Sequence, residues 1–287
     1  GRVPWGLLAM PIKEEESEGS PARRLVELVD VLMAIPPNIA NAPRPRTSWA
    51  DRRRRRPLLI LDPRVPGQRP DSALGSVLGR PSPDTPLAQH FREDVTPARL
   101  LPAVTDTTEL FRRTDVDRDW LAAMLNEQPR RLLYVGHASA AEDRSGRADQ
   151  ACLHLAEDDP LTAATIMSRR MPMPPRVALL ACASGGDYRF DEATGLVAAM
   201  VLCGAQLVTA TLWSLPTTAG YRRFTGGTAD PMADLVVAVD GAHDDDEGGS
   251  AINRWQRDRL QQWQSGDSTA SPLYWAALVT FAVDGAR

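Results

Sequence analysis

The chain has too few cysteines for a disulfide scaffold, no long apolar run and no cationic excess, and each shortage removes a class of function. Of its 287 residues only three are cysteine, Cys152, Cys182 and Cys203. An odd count spread this widely cannot complete a disulfide framework, so a reducing, cytoplasmic setting is expected. No apolar run approaches the roughly 20 residues of a membrane helix, and the N-terminal stretch lacks a basic region followed by a signal-type apolar core. No membrane partner is expected. The net charge of −4 disfavours nucleic acid as the main partner. No internal repeat is visible, which argues against a solenoid or propeller.

What is present is the composition of an ordinary globular protein, 43% hydrophobic and 24% charged, long enough for one large domain or two small ones. Two short apolar runs stand out. Arg131-Leu132-Leu133-Tyr134-Val135-Gly136 leads into His137-Ala138-Ser139, and Arg176-Val177-Ala178-Leu179-Leu180-Ala181 leads into Cys182-Ala183-Ser184-Gly185-Gly186. Both read as buried strands of a parallel sheet. Groups just past the carboxyl ends of such strands face the crevice where ligands bind. A thiol and an imidazole placed there are a cysteine nucleophile and its proton carrier, which points to hydrolytic chemistry. The small-residue turn after Cys182 offers backbone N–H groups to an oxyanion. Taken singly, a free cysteine is more often a small buried hydrophobe, and a lone histidine a satisfied structural group. Their paired placement outweighs this, because caspase-type sites carry a histidine roughly 50 residues ahead of a cysteine in a Gln-Ala-Cys-x-Gly sequence.

Around these runs the pattern is α/β. A strand is expected over 58–61, then a loop rich in Pro, Gly and Ser to about residue 86, which as surface material borders a site. Residues 100–104 read as a strand, and Asp106 with Glu109 as a capping box before a helix face from Leu110 to Leu125. A small exposed hairpin strand is expected over 151–155, before a helix opened by Asp159-Pro160 and running to about Arg170. Asp191 is expected to cap a helix that is apolar nearly all round, from Leu196 to Cys203, with Gly204 ending it. A strand over 206–213, a loop over 214–227, a helix over 232–239, an acidic glycine-rich loop over 244–249, a helix over 252–264 and a strand over 274–283 complete the chain. Residues 1–56, with a helix over 22–33 ended by Pro36-Pro37, read as a peripheral part of the domain formed by 57–287. The run Arg52-Arg53-Arg54-Arg55-Arg56 fits either phosphate contacts or a solvated lead-in to the next strand. Cys152 and His154 share one face of a short strand, and two ligands do not make a zinc site, so they are assigned to packing or surface. Cys203 belongs to the core. His90 and His243 read as loop residues without partners. No metal or other cofactor is expected.

In their order along the chain, several segments resemble the core of the CHAT-domain family, caspase-like proteases of the broad group that includes caspases and separase. They are Tyr134-Val135-Gly136-His137, Leu153-His154-Leu155, Leu161-Thr162-Ala163-Ala164, Ala181-Cys182-Ala183-Ser184-Gly185, Gly195-Leu196, Cys203-Gly204-Ala205 and Thr211-Leu212-Trp213-Ser214-Leu215. Val3-Pro4-Trp5-Gly6-Leu7-Leu8 and Pro272-Leu273-Tyr274-Trp275-Ala276-Ala277 resemble family segments near the two ends. The resemblance implies a caspase-like three-layer α/β/α sandwich with a mostly parallel central sheet. It also implies a cysteine endopeptidase acting through a Cys182–His137 dyad, with the backbone N–H groups of Cys182 and Ala138 as the oxyanion hole. Trp213, Ser214 and Leu215 would lie along the cleft and offer backbone to an extended peptide, unless Trp213 simply caps the core. Asp187 is a candidate for attracting a basic substrate side chain, the alternative being a solvated loop aspartate; Asp143, Asp149 and Asp191 are weaker candidates. Expected partners are a protein or peptide substrate and a regulatory protein or upstream domain. Two departures stand out: Ala138 follows the histidine where the family usually has glycine, and Leu180 stands where Ser commonly opens Ser-Ala-Cys. A catalytically silent scaffold that binds protein partners is the main competitor, and a cysteine amidase or acyltransferase acting on small molecules the next. No residue is singled out as orienting His137.

Overall fold

A computed structural model describes residues 3–9, 23–96, 98–140, 148–181, 184 and 195–287. The strands are, in chain order, β1 (Met33–Ala34), β2 (Leu58–Leu61), β3 (Arg131–Val135), β4 (His137–Ser139), β5 (Cys152–His154), β6 (Leu161–Thr162), β7 (Arg176–Leu180), β8 (Leu207–Thr211) and β9 (Leu278–Ala282). Six of them form one sheet in the order β1-β9-β8-β7-β3-β2, and β4-β5-β6 form a small second sheet. Within the large sheet β2, β3, β7 and β8 are parallel neighbours, while β9 runs antiparallel to β8 and parallel to β1.

Every residue of β2, β3, β7 and β8 is buried, as expected of largely apolar strands in a sheet covered on both faces. Alternation divides them between two cores. Leu58, Ile60, Leu132, Tyr134, Val177 and Leu179 pack with the helices Arg118–Asn126, Ala163–Ser168 and Leu196–Leu202. Leu59, Leu61, Leu133, Val135, Ala178 and Leu180 face the other way, against the helices Pro86–His90, Pro231–Ala242 and Gly248–Gln264. The architecture is a three-layer α/β/α sandwich with a mostly parallel central sheet.

Several expected elements take another form. The helix over 22–33 is a single turn, Leu25–Leu28, because the Asn253 side chain bonds both backbone groups of Val31 and holds the chain extended into β1. Residues 100–104 make one bridge, Leu101 to Leu58, and Pro102 has no N–H to continue a ladder. The helix expected over 110–125 divides into a 3-10 turn, Thr107–Leu110, and a helix that starts at Arg118 under an Asp117 cap. The hairpin strand over 151–155 is not exposed but buried, because Ala151, Leu153 and Leu155 pack into the core. Asp159-Pro160 opens no helix; Leu161–Thr162 pairs with β5, and Thr162 caps the helix that follows. The expected loop over 214–227 contains the helix Thr218–Thr225, capped by Thr217 and closed by Gly226. The run over 274–283 begins as a helical turn, Pro272–Trp275, and becomes strand only at Leu278. The five arginines lead into β2, with Arg56 bonded to Glu127 at 3.0 Å.

Candidate functional site

The ladder of β3 and β7 pairs Val135 with Leu180. The residues two positions before His137 and two before Cys182 therefore lie side by side at the carboxyl ends of neighbouring central strands. Gly136 still donates to Leu180 O at 3.2 Å, and then the chain leaves the sheet. His137 opens β4, which runs antiparallel to β5 with His137 opposite His154 and Ala138 opposite Leu153.

A buried hydroxyl makes this departure well defined. Tyr134 is fully enclosed, and its hydroxyl lies 2.8 Å from His137 O and 2.7 Å from His154 O, joining the end of β3 to the β4–β5 pair. Burial first, and then the charge of Asp62, push its pKa well above the ordinary tyrosine range, so it stays a hydrogen-bond donor. A Cβ at position 136 would lie only 2.7 Å from that hydroxyl oxygen, so glycine is required there. The Tyr134-Val135-Gly136-His137 sequence thus has a packing logic of its own.

His137 is buried, and its Nε2 lies 2.9 Å from the carbonyl oxygen of Gly75 in the loop after β2. A carbonyl only accepts, so Nε2 carries the hydrogen and Nδ1 is the basic nitrogen of the neutral ring. Gly75 is the group that sequence reading missed. The Pro-, Gly- and Ser-rich composition marked its loop as material beside a site, but a backbone carbonyl leaves no signature. His154, assigned from the sequence to packing or surface, has its Nε2 2.7 Å from Ser139 Oγ. Burial, and next the charge of His137 across the strand pair, hold its imidazolium below the usual range.

Cys182, Ala183 and Asp187 lie outside the described residues, as do Asp143 and Asp191. The residues that flank the cysteine are tied down. Ser184 N–H donates to Ala181 O at 3.2 Å, and Ser184 Oγ, itself buried, donates to Leu179 O and accepts from the Thr211 N–H on β8. Thr211 Oγ1 donates to Ala181 O. The other thiols are placed in the interior: Cys152 and Cys203 are buried, and burial pushes Cys203 up to about 11.

Ala138 is extended within β4 and is not among the residues of positive φ, so its replacement of glycine imposes no backbone strain. Trp213 is half-buried, packs against the core and donates Nε1–H to Leu273 O at 3.0 Å; Ser214 is exposed and Leu215 is buried. Asp149 sits in the 3-10 turn Ala148–Gln150. His90 and His243, read from sequence as lacking partners, both have them: His90 Nε2 meets Asp240 at 3.0 Å, and His243 Nε2 meets Thr209 Oγ1 at 2.8 Å. Among the described residues no three His, Cys, Asp or Glu side chains lie together as metal ligands, and no helix is long and apolar enough to cross a membrane.

A comparison with curated proteins gives no match. The family model described as the CHAT domain matches residues 3–283, from before the first helical turn to the end of β9. With essentially its whole length covered, and with the α/β/α architecture in place, the chain belongs to the CHAT domain family, a caspase-like peptidase family.

Proposed function

We propose that this chain is a cysteine endopeptidase that cleaves a specific protein substrate through Cys182 and His137, under the control of a regulatory protein or fused module. The observation that most supports the reading is the fixed tautomer of a buried histidine at a carboxyl strand end: Nε2–H is held by Gly75 O, leaving Nδ1 to exchange a proton with a thiol. Next to this strand is the one that leads into Cys182. The other two thiols, Cys152 and Cys203, are buried in the interior.

In the proposed reaction His137 takes the Cys182 proton, and the thiolate sulfur attacks the scissile carbonyl carbon. The C–S bond forms as the carbonyl π pair moves onto oxygen, where the backbone N–H groups of Cys182 and Ala138 receive it. The oxyanion collapses, the C–N bond breaks and His137 delivers its proton to the leaving amine. Water, deprotonated by His137, then attacks the thioester, releasing the acid and restoring the thiol. The backbone of Trp213, Ser214 and Leu215 and the carboxylate of Asp187 are assigned to substrate binding, with an extended peptide as ligand.

The test is to incubate the protein with a proteome digest-competent mixture and sequence the new N-termini, beside Cys182→Ala and His137→Ala. Cleavage should vanish in both variants, and cleavage that survives either would sink the dyad. A thiol-directed probe adds a readout that needs no substrate. It should label Cys182 far faster than Cys152 or Cys203, whereas uniform labelling would favour a binding scaffold.

A further inference from the structure

Gly75 belongs to the Pro-, Gly- and Ser-rich loop after β2, and its carbonyl is the hydrogen-bond partner of His137. Two charged side chains hold it there. Arg112 donates through one guanidinium nitrogen to Gly75 O at 3.2 Å and to Asp62 Oδ1 at 3.2 Å. Asp62 is buried, and beyond Arg112 its carboxylate accepts from Ser76 Oγ at 2.7 Å, Val77 N–H at 3.1 Å and Leu78 N–H at 3.3 Å. The loop is therefore captured immediately after Gly75. A Cβ on Gly75 would lie 2.3 Å from Pro70 O, so no other residue fits this approach.

Both anchors are themselves set on the central sheet. Asp62 N–H donates to Val135 O at 2.7 Å, one step beyond the β2–β3 ladder, and Arg112 N–H donates to Leu61 O at 3.1 Å. Each takes a left-handed backbone conformation, φ 54° at Asp62 and 52° at Arg112. Non-glycine residues are uncommon there, and such conformations persist only where the surroundings over-determine them. An ion pair between a buried carboxylate and a half-buried guanidinium adds little stability over apolar packing of the same volume, so its place beside a histidine asks for another account.

We propose that Asp62 and Arg112 are positioning residues for His137, holding the Gly75 carbonyl against Nε2 and so fixing which imidazole nitrogen carries the proton. Arg112 fills the second lone pair of that carbonyl, so both acceptor positions are set. The proposal rests on the reading of His137 as the proton carrier, and the experiment separates the two.

The full chain is labelled with ¹⁵N-histidine, and the imidazole signals are recorded by long-range ¹H–¹⁵N correlation. There are four histidines, so His137→Ala identifies the resonance. His137 should show a single Nε2–H tautomer in the wild type and a mixture in Arg112→Gln. Asp62→Asn, which keeps the shape, should shift it the same way, and Arg112→Lys, which keeps a cationic donor, should lie between. In the same samples iodoacetamide alkylation of Cys182 at neutral pH should fall on the order of tenfold in Arg112→Gln, the scale of an outer-shell partner that orients a reacting group. Folded Arg112→Gln and Asp62→Asn proteins that keep the wild-type tautomer would overturn the positioning role. If His137→Ala leaves alkylation unchanged, the dyad fails, while the tautomer comparison still decides what orients the ring.

Discussion

Replacing Gly136 with alanine, alone and together with Tyr134→Phe, tests whether the turn that delivers His137 is held by the close approach seen here. A Cβ at 136 would lie 2.7 Å from Tyr134 Oη, 2.9 Å from Tyr134 Cζ and 3.3 Å from Pro63 Cδ. The first two contacts are closer than packed atoms tolerate, and the tyrosine cannot swing aside. It is fully buried, with its hydroxyl held between His137 O and His154 O. Overpacking of this kind costs about 1–3 kcal/mol. Tyr134→Phe alone takes the donor away from the two carbonyls, a loss of about 1–3 kcal/mol. In the double variant the clashing oxygen is gone and only the ring edge must shift. The two changes should then be less damaging together than their sum, by about 1 kcal/mol, the size of coupling found between residues in contact. Urea unfolding followed by tryptophan fluorescence gives the four free energies. Additivity within about 0.5 kcal/mol would refute the contact as the reason for glycine at this position.

Three further outcomes follow from the buried charges. Asp240→Asn should destabilise the protein by about 3 kcal/mol in denaturant titrations, since it removes the main counter-charge of buried Arg131 and the partner of His90; a change below about 1 kcal/mol would contradict it. Burial, and then the charges of Arg131 and Arg176, push His243 down to about 3 from 6.5. The unfolded chain binds this proton at higher pH than the native one, so the site's stability is complete above pH 6.5 and is lost as pH falls toward 3. The slope reaches about 1.4 kcal/mol per pH unit, and unfolding free energies of His243→Gln measured across that range should lack it. In His137→Ala the repulsion that lowers His154 is gone, so its NMR titration should move upward while staying below that of a free imidazole, because burial remains.

The parts of the fold that were legible in the sequence are those where one local signal sufficed. Continuous apolar runs marked β2, β3 and β7, since strands covered on both faces leave few polar positions to interrupt them. The failures have equally local causes. Helix Thr218–Thr225 buries only Thr218 and Tyr221, so its apolar periodicity was too thin to read, although its Thr217 cap and Gly226 terminator were both in the sequence. In the run over 274–283 helix turn and strand are equally apolar, and periodicity cannot divide them; Ser271-Pro272, a cap and first-turn pair, was the available clue. At the site, His137 was legible because its strand end was. Gly75 O and His154 were not, because one is a backbone atom brought in by a loop and the other depends on the register of a hairpin.

The opposite end of the sheet gives the acidic glycine-rich loop after residue 243 a structural role. Register sets Arg131 beside Arg176 at the first positions of β3 and β7, two cations at neighbouring buried sites. Left alone they would repel each other in a poorly solvated interior. The acidic glycine-rich loop after residue 243 supplies the compensation. Asp244 bonds Arg131 Nε at 3.2 Å, and the carbonyls of His243, Asp245 and Asp246 accept from Arg176. Asp240, one helical turn earlier, completes the Arg131 pair. The Arg176 guanidinium also stacks over Trp49, 3.8 Å from the ring centroid, and burial lowers its pKa to about 10. The amino ends of the two central strands are thus fastened by charge, and their carboxyl ends by the Tyr134 and Thr211 hydroxyls. A site built from two separate strands needs those strands fixed relative to each other along their whole length. Weakening the amino-end cluster should therefore disturb the spacing of His137 and Cys182 without touching either, and Asp240→Asn at temperatures where it remains folded should slow Cys182 alkylation as well as lower stability. If alkylation keeps its wild-type rate while stability falls, the two ends are mechanically independent.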